Sequence, residues 1–392
     1  MNKNLPLKST AKIFNFEHPL ILKIITLHDF ISTGEYGNKY CLKLDGNPNH
    51  LGDILNLDWG AIIISEDLYY EEVSYPVIYG LNIPEIVSSG DVISVSSHGI
   101  SVYYRKNSNS NVLFVTERCN HNCIMCSQPP REIIDEWRVD VCHTIIEFID
   151  KNEKVLGISG GEPTLLGEKL IDLIKHCKNT LPSTQLHILT NGTAFHKIDY
   201  LERILQIEHP NIMWGIPIYG DTPQLHDFHT QVKGSFNKTV HGIYNLASKG
   251  QSIELRIVLT HSILDNIRNI MEFILWNMPF VDTVALMGVE STGYAKSNYE
   301  LVWAEIEPYI NEVRHSIKLM QCSPINVLLY NIPLCKLPIE LHDIAVQSIS
   351  DWKNIFYEKC RDCEKLEMCG GFFNSHKTAK FTSKEVIPFK VN

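Results

Sequence analysis

The chain has no apolar run long enough to cross a bilayer. Its most apolar early stretch, Leu20 to Thr26, is interrupted by Lys23 and falls far short of the roughly 20 residues that a spanning helix needs. Nor do basic residues, an apolar core and a small-residue cleavage site follow one another at the start, so no secretory signal is read and a cytoplasmic location is expected. Basic blocks are also missing. Lys and Arg number 35 against 45 Asp and Glu, a net charge of -10, and a nucleic-acid grip driven by counterion release is not expected. Internal repeats and long low-complexity segments are absent from the sequence. With 44% hydrophobic and 20% charged residues, the composition excludes a disordered or fibrous chain. At about 150 residues per domain, 392 residues make two or three domains.

What the sequence has in quantity is cysteine, eleven in all. A reducing compartment disfavours disulfides, so thiols in this number ask for another role. Three of them, Cys119, Cys123 and Cys126, form CxxxCxxC within VLFVTERCNHNCIMCSQ. Three thiolates on one short loop can wrap a single metal cluster and leave one metal position open, unlike the four-Cys closure of electron carriers. Near the C-terminus Cys360, Cys363 and Cys369 form CxxCxxxxxC, with Cys335 upstream in Asn331-Ile332-Pro333-Leu334-Cys335. Four thiolates can close an iron–sulfur cluster or a structural Zn(Cys)₄ site, and the spacing admits both. Cys142 and Cys177 fall in helical patterns and read as small core residues; Cys41 and Cys322 have no assigned role.

The organisation changes along the chain. Residues 1–108 read as β-rich, with short apolar runs at Phe14–Thr26, Ala61–Ser65, Asp91–Ser97 and Gly99–Tyr104, separated by turn residues such as Gly46-Asn47-Pro48-Asn49. Arg105–Asn111 reads as a linker. From Val112, candidate strands at 112–116, 155–159, 185–190, 211–218, 253–260 and 283–287 alternate with helical patterns such as 139–151, 165–179, 234–249 and 267–277. Six such units imply a parallel sheet, either an open doubly wound sheet or a partial barrel, with ligands at the C-terminal strand ends. A helical stretch over 300–320 follows, then a strand near 327–330, a helix over 339–355 and a Cys- and Gly-rich tail. The expected units are 1–108, 109–322 and 323–392.

The residues just after the strands carry the chemistry. The second strand ends in Gly160-Gly161-Glu162-Pro163, the third in Thr190-Asn191, and the sixth runs into Gly288 to Tyr294. Glu254 and Arg256 share one face of the fifth strand, where an inward carboxylate needs a partner. His226, Asp227 and His229 could be read as a metal triad, but the reading preferred for them is structural or substrate-facing. His121 reads as a loop residue of the Cys119–Cys126 segment, with tuning of a bound cluster by hydrogen bonding the second reading.

CxxxCxxC after strand one with GGEP after strand two resembles the radical S-adenosylmethionine (SAM) superfamily over about residues 112–320. The resemblance implies an α/β fold, a partial (β/α)6 TIM-like barrel with an N-terminal β-rich domain and a small C-terminal Cys-rich domain. It implies that Cys119, Cys123 and Cys126 hold a catalytic [4Fe-4S] cluster whose open iron chelates SAM. Gly160, Gly161 and Glu162 would line the methionine amino group, Thr190 and Asn191 the ribose, Arg256 with Glu254 the carboxylate, and Gly288 to Tyr294 the adenine. Met125 stands where this superfamily often has an aromatic residue, which bears on stacking and leaves ligation untouched. Cys335, Cys360, Cys363 and Cys369 are similar to the ligands of twitch or SPASM-like extensions, implying a second, auxiliary [4Fe-4S] cluster, with zinc the alternative. The runs at 116–129, 331–335, 348–355 and 369–373 further resemble radical SAM maturases of His-Xaa-Ser systems, of the HxsC type. That implies an enzyme that cleaves SAM reductively to a 5′-deoxyadenosyl radical and abstracts hydrogen from a peptide or small protein. It also implies an electron donor and a companion radical SAM maturase. A radical SAM enzyme acting on a small molecule, or a non-catalytic metal-binding scaffold, is the alternative.

Overall fold

The computed structural model describes residues 5–45, 51–64, 73–377 and 386–390. The turn expected at Gly46–Asn49 and the end of the 61–65 run lie outside them.

The first hundred residues form an eight-stranded mixed sheet. Its strands are Lys8–Thr10, Lys12–Phe14, Leu20–Thr26, Tyr40–Lys43, Ala61–Ile63, Val77–Tyr79, Val92–Ser96 and Gly99–Tyr104. Their order across the sheet is first, eighth, seventh, third, fourth, fifth, sixth, second. Apolar residues alternate to both faces. Leu22, Ile24, Ile63 and Ile93 pack on one side, and Ile25, Leu42, Ile62 and Trp59 on the other. A sheet buried on both faces explains why Ala61–Ile63 and Leu20–Thr26 are nearly continuous apolar runs rather than alternating ones. Short helices at Leu27–Thr33 and Leu51–Leu55 accompany it.

The second sheet is wholly parallel. Its strands are Val112–Phe114, Val155–Ser159, Gln185–Leu189, Ile212–Pro217, Ser252–Val258, Thr283–Met287, Asn326–Tyr330 and Ala345–Val346, and each pairs with its neighbours in chain order. The order never reverses, so the switch point of a doubly wound sheet is absent. Two strands beyond the expected six, at 326–330 and 345–346, extend the sheet past the boundary expected at 322. Right-handed crossovers in an unreversed sheet put the helices on a single face, among them Trp137–Phe148, Glu168–Thr180, Ser235–Ser248, Ile267–Asn277 and Ile310–Met320. Burial alternates to match. Ile158, Ile188, Trp214, Leu255 and Leu286 are fully buried in the main apolar core, while Ser159, His187, Pro217, Arg256 and Met287 on the other face are only partly covered.

Two expected helices differ. The stretch 300–320 breaks into Tyr299–Val302, a turn at Glu307–Tyr309 and Ile310–Met320, because Pro308 sits where a continuous helix would need an N–H. No helix covers 339–355. A 3₁₀ segment at Ile339–Ile344 leads into strand Ala345–Val346 and, after a loop, strand Asn354–Ile355, which pairs with Phe372–Phe373. The apolar positions there face the sheet edge and a small cluster of Ile355, Cys360 and Phe372, so tertiary burial overrides helical spacing. Among the described residues no helix is long and apolar enough to cross a membrane.

Candidate active site

The loop bearing Cys119, Cys123 and Cys126 is built from the end of the first parallel strand. Asp135, fully buried, fixes its entrance: the carboxylate accepts from Thr116 Oγ1 at 3.0 Å and Glu117 N at 2.5 Å, and faces Arg118 and Arg138. The middle hangs from the helix Pro223–Thr230, since Asn122 N donates to Thr230 O and Ile124 N to His229 O. The far end rests on the Thr292–Asn298 segment, where Tyr294 N donates to Cys126 O at 2.8 Å and Asn298 Nδ2 to Ile124 O at 2.9 Å.

The glycines of the second loop press against this one. Gly161 N donates to Thr116 O and Glu162 N to Arg118 O. A Cβ on Gly160 would lie 2.5 Å from Thr116 O, and one on Gly161 2.2 Å from Arg118 O. Two backbones therefore meet with no room for a side chain. Glu162 then turns its carboxylate along the strand ends. Oε1 accepts from Thr164 N, Thr164 Oγ1 and Thr190 Oγ1 at 3.0, 2.6 and 2.6 Å, and Oε2 from Asn191 N at 2.6 Å. Burial raises its pKa even against these donors. Asn191 in turn donates to Asn120 Oδ1 at 2.7 Å, tying the third strand's loop back to the cysteine loop.

Below lies an ionic group on the half-covered face. Glu254 Oε1 meets Arg256 Nη1 at 2.5 Å and His187 Nε2 at 3.3 Å, and Oε2 accepts from Tyr330 OH at 3.2 Å. Burial pushes the Glu254 carboxyl up, but the His187 hydrogen bond and the Arg256 charge more than reverse this and hold it at about 2. The partner that an inward carboxylate demands is therefore present, and Arg256 lines the cavity above.

These elements enclose a cavity of about 260 Å³ at the C-terminal ends of the parallel strands. Its walls include Cys119, Cys123, Cys126, Gly160, Gly161, Glu162, Thr190, Asn191 and Arg256. Glu254 lies beneath it. Gly288 lines a separate apolar cavity, and Tyr294 braces the cysteine loop through its main chain. His121 and Tyr219 line the cavity as well, though neither stood among the expected site residues. Tyr219 follows the fourth strand, at the start of the loop that carries His226 and Asp227. Burial lowers His121 to about 4 and leaves its Nδ1 without a hydrogen-bond partner.

The donor set fits an iron–sulfur cluster. Burial raises all three thiols, Cys119 to about 11, and the charges of neighbouring thiols add to this at Cys119 and Cys123. Bare thiolates are therefore disfavoured here, and a cationic metal would relieve that penalty. The main-chain N–H of His121 already reaches Cys119 Sγ at 3.4 Å. Among the described residues, no three His, Cys, Asp or Glu side chains gather closely enough for a single metal ion.

His226, Asp227 and His229 have structural duties. Asp227 accepts from Gly234 N, Ser235 Oγ and Phe236 N and so caps the helix Ser235–Ser248. His226 Nδ1 accepts from Tyr219 N, and His229 bonds Leu225 O and Thr260 Oγ1. Cys142 and Cys177 are buried in the core, and Cys322 is exposed.

At the other end of the chain Cys335 senses the charge of Cys369 and Cys360, and Cys360 that of Cys369 and Cys363. A series of close pairs thus links the four thiols. Leu334 N and Gly371 N both donate to Cys369 Sγ at 3.4 Å. Lys353 pairs with Glu290 at 3.0 Å, and Ser375 Oγ receives a hydrogen bond from Ser291, holding this module to the strand-six loop.

Residues 113–274 match the family model of the Radical SAM superfamily, which supports that superfamily for this span. No curated protein matches the sequence. Among solved structures the chain is similar to Streptococcus suis SuiB bound to S-adenosylmethionine, at 16% identity and TM-score 0.44, covering 56% of this chain and 49% of that one. It is similar also to anSMEcpe with bound AdoMet, at 13% identity and TM-score 0.48, covering 69% and 90%. A third is a radical SAM methyltransferase from Sphaerobacter thermophilus, at 11% identity and TM-score 0.40, covering 62% and 73%. The match thus spans about half the length of SuiB.

Proposed function

We propose that this chain is a radical SAM enzyme that modifies a peptide or small protein. One observation carries the reading: the CxxxCxxC thiols, the Gly160–Glu162 backbone, Thr190, Asn191 and Arg256 open onto a single cavity at the C-terminal ends of a parallel sheet. The superfamily match over 113–274 supports it. Cys119, Cys123 and Cys126 would hold the catalytic [4Fe-4S] cluster, which supplies the electron for reductive cleavage of bound SAM. The chain's own residues bind and orient. Gly160 and Gly161 let main-chain carbonyls approach an ammonium group, Arg256 offers its fork to a carboxylate, and Asn191 and Thr190 offer polar atoms to a ribose. The sheet curves into a partial barrel around this cavity. Cys335, Cys360, Cys363 and Cys369 hold an auxiliary [4Fe-4S] cluster, supported by the close pairs that link them and by the two N–H donors at Cys369. The substrate is a polypeptide of the His-Xaa-Ser type, processed with a companion maturase and an electron donor in the cytoplasm; the motif runs around Cys335 and Cys369 support this.

The test is 5′-deoxyadenosine formation by the anaerobically reconstituted chain with dithionite, beside Cys123→Ala. Formation by the parent and none by the variant is expected. A parent that holds iron and sulfide but yields no 5′-deoxyadenosine, with or without the companion maturase, overturns the reading.

A further inference from the structure

We propose that an extended segment of a polypeptide docks by strand addition along Val112–Phe114 and is led from there into the catalytic cavity. The inference rests on the enzyme reading for its meaning, though not for its geometry. The strand Val112–Phe114 forms one edge of the parallel sheet and pairs only with Val155–Ser159. Gly157 N donates to Asn111 O at 2.9 Å and Val115 N to Ser159 O at 2.8 Å. Asn111, Leu113 and Val115 therefore spend their main-chain groups inward, and Val112 and Phe114 turn theirs outward by strand alternation. Among the described residues, the N–H and C=O of Val112 and the N–H of Phe114 have no partner. Phe114 O has only the Cys142 thiol at 4.0 Å.

The edge is only partly covered by the helix Trp137–Phe148. A cavity of about 70 Å³ lies between them, its walls including Tyr103, Val112, Phe114, Trp137, Arg138 and Cys142. Phe114 and Arg138 also wall a larger cleft of about 500 Å³. That cleft shares Gln128, Pro130 and Gly161 with the catalytic cavity. Shared walls thus place the three spaces side by side from edge strand to cysteine thiols. Its floor suits a chain with side chains. Trp137 is 50% and Val112 39% exposed, and the Arg138 guanidinium lies 4.7 Å from the Trp137 ring centre and 5.3 Å from that of Phe114.

The occupant follows from the hydrogen-bonding pattern. Outward N–H and C=O groups on alternate residues are met by an extended main chain, which supplies the complementary row. A small molecule or the folded surface of an electron carrier does not. Direction follows too. The strand points at the cysteine loop, and Cys119 lies five residues past Phe114, so a segment laid on the edge is carried to the cavity mouth.

The probe is a degenerate library of twelve-residue peptides, selected on the reconstituted protein, with the affinities of the enriched peptides then measured by fluorescence anisotropy. Val112→Pro removes an outward N–H and leaves the inward ladder intact, since proline is tolerated on an edge strand. We expect about tenfold weaker binding to this variant. Similar losses are expected for Trp137→Ala and for peptides N-methylated at alternate amides. Iron content and circular dichroism should match the parent. Peptides that bind parent and both variants equally, or a library that yields no binder, overturn the proposal, as does a dimer of the parent that Val112→Pro converts to monomer. Peptide-independent 5′-deoxyadenosine formation, read in the same preparations, separates the two readings. It is unchanged in Val112→Pro if the enzyme reading holds and absent from parent and variant alike if that reading fails, whatever the peptides do.

Discussion

Gly161→Ala is the smallest change that asks whether the cysteine loop and the glycine loop form one cradle. The added Cβ would lie 2.2 Å from Arg118 O and 2.6 Å from Arg118 C. Both are main-chain atoms, so no rotamer change relieves the clash, and the two loops must part by roughly 1 Å to reach ordinary contact. Arg118 adjoins Cys119, and Glu162, next to Gly161, donates its N–H to Arg118 O. The displacement therefore falls on the first cysteine and on the hydrogen bond joining the loops. Overpacking of this kind costs about 1–3 kcal/mol in stability, while a 1 Å misplacement in a reacting geometry costs on the order of a hundredfold in rate. The chain should fold, bind iron and lose about two orders of magnitude in 5′-deoxyadenosine formation. The assay is single-turnover SAM cleavage beside iron quantification. A variant with the parent's rate and iron content would refute the argument that the backbones must touch.

Glu254→Gln should cost about 3 kcal/mol of stability at pH 7, because the carboxyl stands at about 2 against its ordinary 4.5 and each tenfold change in proton affinity is worth about 1.4 kcal/mol. The folded pKa is depressed, so this contribution is complete above about pH 5 and lost as pH falls through about 2; urea unfolding of parent and variant should show the gap narrowing to about 2 kcal/mol by pH 3.5. Cys363→Ala should lower iron from about eight to about four per chain while SAM cleavage persists, and iron content unchanged from the parent would count against the auxiliary cluster. Asp135→Asn leaves Arg118 and Arg138 short of a buried counter-charge and should cost about 3 kcal/mol, read as a lowered urea midpoint; a midpoint like the parent's would show that Glu117, which also pairs with Arg138, suffices.

Much of the site was legible because its residues follow strands. Apolar runs of period two located six strands of the second sheet, and the residues after each lay at the ends that bound the cavity. Glu254 and Arg256 were readable as a pair from alternation alone, but their partners His187 and Tyr330 come from strands 67 and 76 residues away, and no local pattern announces that. Asp135 was invisible for the same reason. It sits between Ile134 and Glu136 in a stretch of mixed polarity, and only the fold shows that its carboxylate bonds Thr116 and the main chain of Glu117. The helix expected over 339–355 failed because two short strands there pair with Leu329–Tyr330 before them and Phe372–Phe373 after them, which no spacing within the segment announces. Gly288 and Tyr294 were placed by proximity to a strand end, and the fold sets Gly288 on a separate cavity and Tyr294 N against Cys126 O.

The two faces of the parallel sheet divide stability from chemistry. On the helix side Leu156, Ile188, Trp214, Leu255 and Leu286 lie fully buried in a core that fixes the register of each strand. On the other side the register sets Gly157 beside His187, and Gly215 beside Glu254 and Thr283. A Cβ on Gly215 would fall 2.9 Å from His187 Nε2 and 3.2 Å from Arg256 Cδ, so this small residue keeps open the space in which the Glu254 group forms. A large apolar residue at 215 would bury more surface and displace the arginine beneath the cavity. The sheet thus gives up packing where the cavity needs a fixed charge, and the fully apolar face opposite makes that tolerable. Gly215→Ala, whose Cβ would also fall 2.6 Å from Leu189 Cδ2, should accordingly lower SAM affinity and cost about 1–3 kcal/mol of stability by overpacking against the partners of Glu254; a variant with affinity and urea midpoint both unchanged would refute the argument.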